Sequence, residues 1–304
     1  MTDVTQVNEA SSKAVDNIFE VQNVTLRFGG VTSLNNVSIE QRRGEILAVI
    51  GPNGAGKTSL FNCLTGVYKP QEGVINFHAE RKGTVNLVGK PPHKVNHMGV
   101  ARTFQTSRMF NALTTFENIK IGVEASQKTG PIGAMLHLPR TRREERESDH
   151  RTLDLLELVG LTHRLNTMAD SLPYGDRRRL EIARALGTNP EVLLLDEPAA
   201  GTNPSEKLAL AELIRTINKE TGTSILLIEH DMKLVMSLAQ RLYVLNFGQV
   251  IASGAPADIQ QNPDVIAAYL GAAETDDEPS APVAQSAPVA PIITDTPDAT
   301  EAGV

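Results

Sequence analysis

The segment "EILAVI", residues 45–50, runs without a spacer into "GPNGAGKTS", residues 51–59, and then into a helical stretch that reaches Thr65. Few local patterns restrict a fold more. A strand that is apolar at nearly every position needs cover on both faces, which is the condition of a central parallel strand. The loop Gly51-Pro52-Asn53-Gly54-Ala55-Gly56-Lys57-Thr58 fits G-x-x-x-x-G-K-[ST] and stands where that pattern has to stand, between strand and helix. Its glycines let backbone amides turn inward on a phosphate, and the helix dipole adds to the attraction. Lys57 reaches the terminal phosphates as a point charge and the Thr58 hydroxyl takes a place on Mg2+. Ser59 is grouped with them. A glycine-rich turn alone is weak evidence, but with the Lys-Thr pair and these flanks it predicts a nucleotide site.

"VLLLDE", residues 192–197, supplies the second half. Asp196 is the first polar residue beyond a central apolar strand, at the carboxyl edge where ligands bind in such sheets. It is placed to hold the metal through water, and Glu197 to orient and deprotonate an attacking water. A carboxylate beside the metal ligand favours hydrolysis over transfer to an acceptor hydroxyl, so a phosphate-transferring kinase is the weaker alternative.

Around these motifs the chain alternates in character. Residues 18–28, 36–40, "GVINF" and "TVNLVG" read as strands, and "GVARTFQ" (99–105) closes a first block. From about 106 to 186 the pattern is helical, in "TTFENIKIGVEA" and "REERESDHRTLDLLELVGL", with "KTGPIGAMLHLPRTRR" (128–143) as a loop between. The mixed-sign run from Arg140 to Arg151 reads as an exposed helical face. Strand signals return at 191–197, 223–231, "RLYVLN" and "QVIASG". Strands separated by helices predict an α/β fold with a parallel sheet covered on both sides.

The ends differ from this body. Residues 272–304 carry seven acidic side chains and no Lys or Arg, and residues 1–17 add −2, so of a formal net charge of −7 the segment 18–271 keeps about +2. A near-neutral body argues against a nucleic-acid partner held on a basic face. The Pro-, Ala- and Ser-rich tail has little to bury and is predicted to be disordered, as is 1–17. One cysteine, Cys63, excludes an internal disulfide, and no apolar run reaches the roughly 18 residues that span a bilayer.

"SLPYGDRRRLEIARAL", residues 171–186, opens a helix behind a glycine, and a helix N-terminus is a seat for an anion. Together, the phosphate loop, "RTFQ", "LPYGD", "LLLDEP" and "IEHD" resemble, in order and spacing, an ATP-binding-cassette (ABC) ATPase over residues 18–271. The resemblance implies a P-loop NTPase fold, with a RecA-like core, an antiparallel β subdomain and a helical subdomain over about 106–186. It implies that Gln105 senses the γ-phosphate and Mg2+, that His230 stands near the γ-phosphate, and that Phe28 stacks on adenine. It further implies a head-to-tail dimer, homomeric or heteromeric, with ATP between the subunits and the signature serving the partner's nucleotide.

The usual signature is L-S-G-G-Q, whereas this chain has Leu172-Pro173-Tyr174-Gly175-Asp176. Pro173 removes a hydroxyl and an amide, and Asp176 brings an acid that suits the helix dipole but repels phosphate if it points inward. Weaker closure around ATP is expected. Asn203, in "AAGTNP", stands where the family usually has Asp. Several segments, including "YGDRRRLEIARAL", "IEHDMKLVM" and the ending "NPDVIAAYLG", are most similar to the ATP-binding subunit of branched-chain amino-acid importers. That similarity implies two membrane permease subunits docked beside Gln105, a periplasmic binding protein acting indirectly, and a peripheral place on the cytoplasmic face of the inner membrane. A lipopolysaccharide-type exporter ATPase and a soluble ABC remodelling factor are the alternatives.

Overall fold

The computed structural model describes residues 17–80, 82–103, 109–125 and 139–275. Strands β1 (Asn17–Phe28) and β2 (Val31–Arg42) pair antiparallel, followed by β3 (Ile46–Ile50), β4 (Glu72–Ala79) and β5 (Gly83–Asn86). The first sheet has the order β2-β1-β4-β5. The second adds β6 (Val100–Arg102), β7 (Val192–Asp196), β8 (Ser224–Ile228), β9 (Arg241–Asn246) and β10 (Gln249–Gly254), in the order β10-β9-β3-β8-β7-β6. All of its pairings are parallel except β10 on β9.

Two cores explain the continuous apolar strands. Successive strand side chains point to opposite faces, and both faces here are covered. Along β3, Ile46, Ala48 and Ile50 enter one core while Leu47 and Val49 enter the other. In β7, Leu193 and Leu195 likewise oppose Val192 and Leu194. Each such Leu or Ile contributes roughly 1.5–3 kcal/mol on burial. One core is shared with Phe19 and Phe77 of the first sheet and with Leu60, Phe61 and Leu64 of α1 (Lys57–Leu64).

The remaining helices are α2 (Pro92–His97), α3 (Thr115–Glu124), α4 (Pro139–Leu158), α5 (Tyr174–Gly187), α6 (Pro204–Thr221), α7 (Met232–Leu238), α8 (Pro256–Gln260) and α9 (Pro263–Thr275). Helices α3, α4 and α5 pack on one another within the segment predicted to be helical. Thr114 and Glu117 start α3 with a capping box, and Asn203 and Glu206 do the same for α6. The α3–α5 crossing is close: a Cβ on Gly122 would stand 2.2 Å from the carbonyl oxygen of Arg184. No helix among the described residues is long and apolar enough to cross a membrane.

Some boundaries differ from the sequence reading. The segment predicted as a loop to 143 is helical from Pro139, because proline at the first helical position forfeits no hydrogen bond. β6 does not close the first block but pairs with β7 at the edge of the large sheet. The strand predicted to 231 ends at Ile228, and α9 continues to Thr275. The terminal segments 1–16 and 276–304, predicted to be disordered, lie outside the described residues.

Candidate functional site

The parallel register builds the site. Val49 is aligned with Ile228, and Ile228 with Asp196, so the loops after β3, β7 and β8 leave the sheet at one edge. That brings Gly51–Thr58, Asp196–Glu197 and His230 together from segments far apart in the chain.

Gly51 follows β3 at φ 150°, and a Cβ there would lie 2.1 Å from the carbonyl oxygen of Leu245, so only glycine fits beside β9. Gly56 caps α1 in the left-handed conformation. Between them Asn53 and Gly54 are exposed, and nothing lies within 4 Å of where a Cβ on Gly54 would stand. Ala55 is buried, and its carbonyl accepts the Gly248 amide at 3.0 Å. The buried Lys57 donates from Nζ to the carbonyl oxygens of Gly51 at 2.6 Å and Pro52 at 2.9 Å. Burial lowers its pKa, and the carboxylates of Glu197 and Asp196 oppose that shift. Such an ammonium can exchange two neutral carbonyls for phosphate oxygens. Thr58 is exposed at the start of α1, and Ser59 is held by the Ser33 hydroxyl at 2.7 Å.

Asp196 ends β7 and is buried, with Oδ2 2.6 Å from Nη2 of Arg102. Glu197 follows at φ 46°. A non-glycine residue there carries strain of order 1–3 kcal/mol, a feature that clusters at active sites. Its amide is fixed by the carbonyl of Ile228 at 2.9 Å, and its Oε2 lies 3.9 Å from Nδ1 of the exposed His230. Glu229, almost wholly buried, accepts the Ala199 amide at 2.7 Å. Burial pushes its carboxyl pKa up, against the pull of that amide.

Phe28 closes β1 half exposed, with its ring edge-on to Tyr68 at 5.1 Å. Gln105 lies outside the described residues. Leu172 is buried in the helical core, Pro173 occupies the N-cap of α5, and the helix starts at Tyr174 rather than at Gly175. The cavity of about 260 Å³ beside Gly175 and Asp176 is walled by α5, α6 and their flanking loops, with no residue from 51–59. Asp176 turns toward Arg164 at 3.5 Å rather than standing alone at the helix start.

A model of the ABC transporter family matches residues 34–200. The chain belongs to the ABC transporter family. Residues 249–275 of the cassette also match a model described as branched-chain amino acid ATP-binding cassette transporter. The cassette is 49% identical to the high-affinity branched-chain amino acid transport ATP-binding protein LivG of Salmonella typhimurium, over 84% of this chain and 98% of that one. It is 45% identical, at the same coverage, to BraF of Pseudomonas aeruginosa, a protein of the same description. Among solved structures, the ADP conformation of an ATP-binding cassette of an ABC transporter superposes with a TM-score of 0.72. It is 31% identical and is matched over 84% of this chain and 99% of that one. The cassette is therefore an ATPase of the ABC fold.

Three residues of this edge escaped the sequence reading: Arg102, Glu229 and Tyr68. Arg102 and Glu229 lie inside quoted motifs, "RTFQ" and "IEHD", and a charged residue directly continuing an apolar strand run was the signal. Tyr68 carried no local signal, because its meeting with Phe28 depends on how β1 passes the end of α1.

Proposed function

We propose that this cassette is the ATP-hydrolysing subunit of an importer for branched-chain or other hydrophobic amino acids. The observation that carries it is the gathering of Lys57, Asp196, Glu197 and His230 at one sheet edge. The substrate class rests on the names of the relatives and on the C-terminal match.

Gly51–Ser59 would hold the ATP phosphates, and Phe28, with Tyr68 behind it, the adenine. Thr58 and Asp196, together with Gln105, would hold Mg2+, which supplies neutralisation of the phosphate charge. The donor set fits Mg2+, which draws on one or two protein oxygens together with phosphates and water. Glu197 orients and deprotonates the attacking water. His230 adds a donor beside it. Lys57 neutralises developing charge.

That the cavity beside Gly175 is lined by no residue of the phosphate loop supports a head-to-tail dimer in which Leu172, Tyr174, Gly175 and Asp176 complete the partner's pocket. The groove of about 340 Å³ lined by Arg102, Thr103, Phe110, Gly122 and Arg184 supports docking of a permease helix beside Gln105. Such a subunit would sit peripherally at the cytoplasmic face of the inner membrane, with two permeases and, through them, a periplasmic binding protein.

Reconstitution with the permease pair tests the reading. ATP turnover is expected to rise with the membrane partners and again with a binding protein loaded with leucine, isoleucine or valine. Turnover that ignores the permeases but responds to DNA or ribosomes would sink it.

A further inference from the structure

Tyr174, the first residue of α5, stands where the L-S-G-G-Q form has glycine, and its phenol joins the signature helix to the loop after Glu197 within one chain. The hydroxyl donates to the carbonyl oxygen of Ala200 at 2.5 Å. It accepts from Nη2 and Nε of Arg178 at 2.8 and 3.1 Å. A phenol has one proton to give. Because Arg178 donates to its oxygen, that proton is directed at Ala200. Arg178 is itself fixed by Glu181 at 2.9 Å and lies over the Tyr174 ring.

The loop is clamped from its other side as well. The Ala200 amide donates to the carbonyl of Glu197 at 3.1 Å, and the Ala199 amide donates to Glu229. Gly201, at φ 76°, passes so near the ring that a Cβ would stand 3.3 Å from the phenol oxygen. Thus the Ala200 residue is hydrogen-bonded through its amide to the Glu197 carbonyl and through its own carbonyl to Tyr174. Glu197 holds a left-handed backbone at the root of that turn.

We propose that Tyr174 is a positioning residue for hydrolysis, fixing the Ala200 carbonyl and through that turn the carboxylate of Glu197. It rests on the reading of Glu197 as the group that activates water. In the proposed head-to-tail dimer the same helix start would face the partner's nucleotide, and the phenol would link the two sites. The phosphate loop is held by Leu245, Gly248 and Ser33, none of which involves Tyr174. The hydroxyl itself is committed to Ala200 of its own chain, and Tyr174→Phe keeps the ring and backbone that the signature offers the partner's pocket, so removing the hydroxyl acts on turnover and spares binding.

The test uses the full-length chain. Tyr174→Phe keeps the ring and removes the hydroxyl. A fall in kcat of about five- to tenfold is expected, the scale of one lost hydrogen bond. KM and the affinity for a fluorescent ATP analogue should stay within about twofold, and in a Glu197→Gln background the same change should cost nothing further. Wild-type kcat in Tyr174→Phe overturns the proposal, as does a matched loss of kcat and binding or a further loss in the Glu197→Gln background. If Glu197→Gln itself turns over at the wild-type rate, the reading of Glu197 falls and takes this proposal with it. If Glu197→Gln is inactive and Tyr174→Phe is not impaired, only this proposal falls. Should Tyr174→Phe fail to fold, Arg178→Lys removes the fork from the same hydroxyl, with the same kcat-only fall expected and wild-type kcat again overturning the proposal.

Discussion

Arg102 and Asp196 meet at 2.6 Å across the β6–β7 pair, with side-chain exposures of only 8% and 4%. Arg102 also donates to Oδ1 of Asn62 at 2.7 Å and lies over the Phe61 ring, so one guanidinium joins β6, β7 and α1. It stands three residues before Gln105 and holds one of the carboxylates proposed for the metal. Removing one partner of a buried pair leaves the other charge uncompensated. Arg102→Met is therefore expected to lower the unfolding free energy by about 3–5 kcal/mol. Replacing Asp196 by Leu in the same molecule should recover most of it. Denaturant unfolding decides, and a loss below about 1 kcal/mol in the single variant contradicts a structural pairing.

Glu197→Gln keeps the shape and loses the proposed base. Phosphate release is expected to fall by about 10²- to 10⁴-fold, with ATP retained on the protein. Lys57→Ala, which removes the ammonium from the loop, should abolish binding or turnover. Wild-type release from Glu197→Gln would show that another group activates the water.

Glu229 makes stability depend on pH. Its folded pKa is raised above the ordinary carboxylate value of 4.5, chiefly by burial. The folded state thus binds more protons than the unfolded chain above that value, and stability falls as pH rises from there toward the folded pKa. Glu229→Gln keeps an acceptor for the Ala199 amide and removes the titration. Unfolding midpoints measured from pH 4 upward should show a shallower decline in the variant, and identical slopes would remove Glu229 from the account.

The α3–α5 crossing offers no room for a side chain. Gly122→Ala directs a methyl group at the Arg184 carbonyl and is expected to cost about 1–3 kcal/mol by overpacking. Urea unfolding at constant slope should register it, and an unchanged midpoint would mean the two helices part freely.

Pro173 occupies the N-cap of α5 without a side-chain cap. Pro173→Ser returns an amide and a hydroxyl to the helix start, and tighter ATP-dependent dimerisation with higher turnover is expected. If ATPase activity and affinity stay the same, the missing donors do not limit closure.

Much of the site was legible from local pattern. Lys57 and Thr58 were fixed by a motif whose flanks name its backbone, and Asp196 and Glu197 by the end of an apolar strand. The boundary errors were also local, as at Pro139, where a residue that breaks helix interiors begins one.

From sequence alone came the class of fold, the glycine-rich loop between β3 and α1 and the proposed hydrolytic pair, because strand burial, helix caps and glycine turns act over a few neighbouring residues. Tertiary structure alone decided that Arg102 grips Asp196, that Tyr174 grips Ala200 and that Glu229 grips Ala199. Those contacts span 94, 26 and 30 positions and depend on strand register and helix placement, which one residue's chemistry cannot encode by itself.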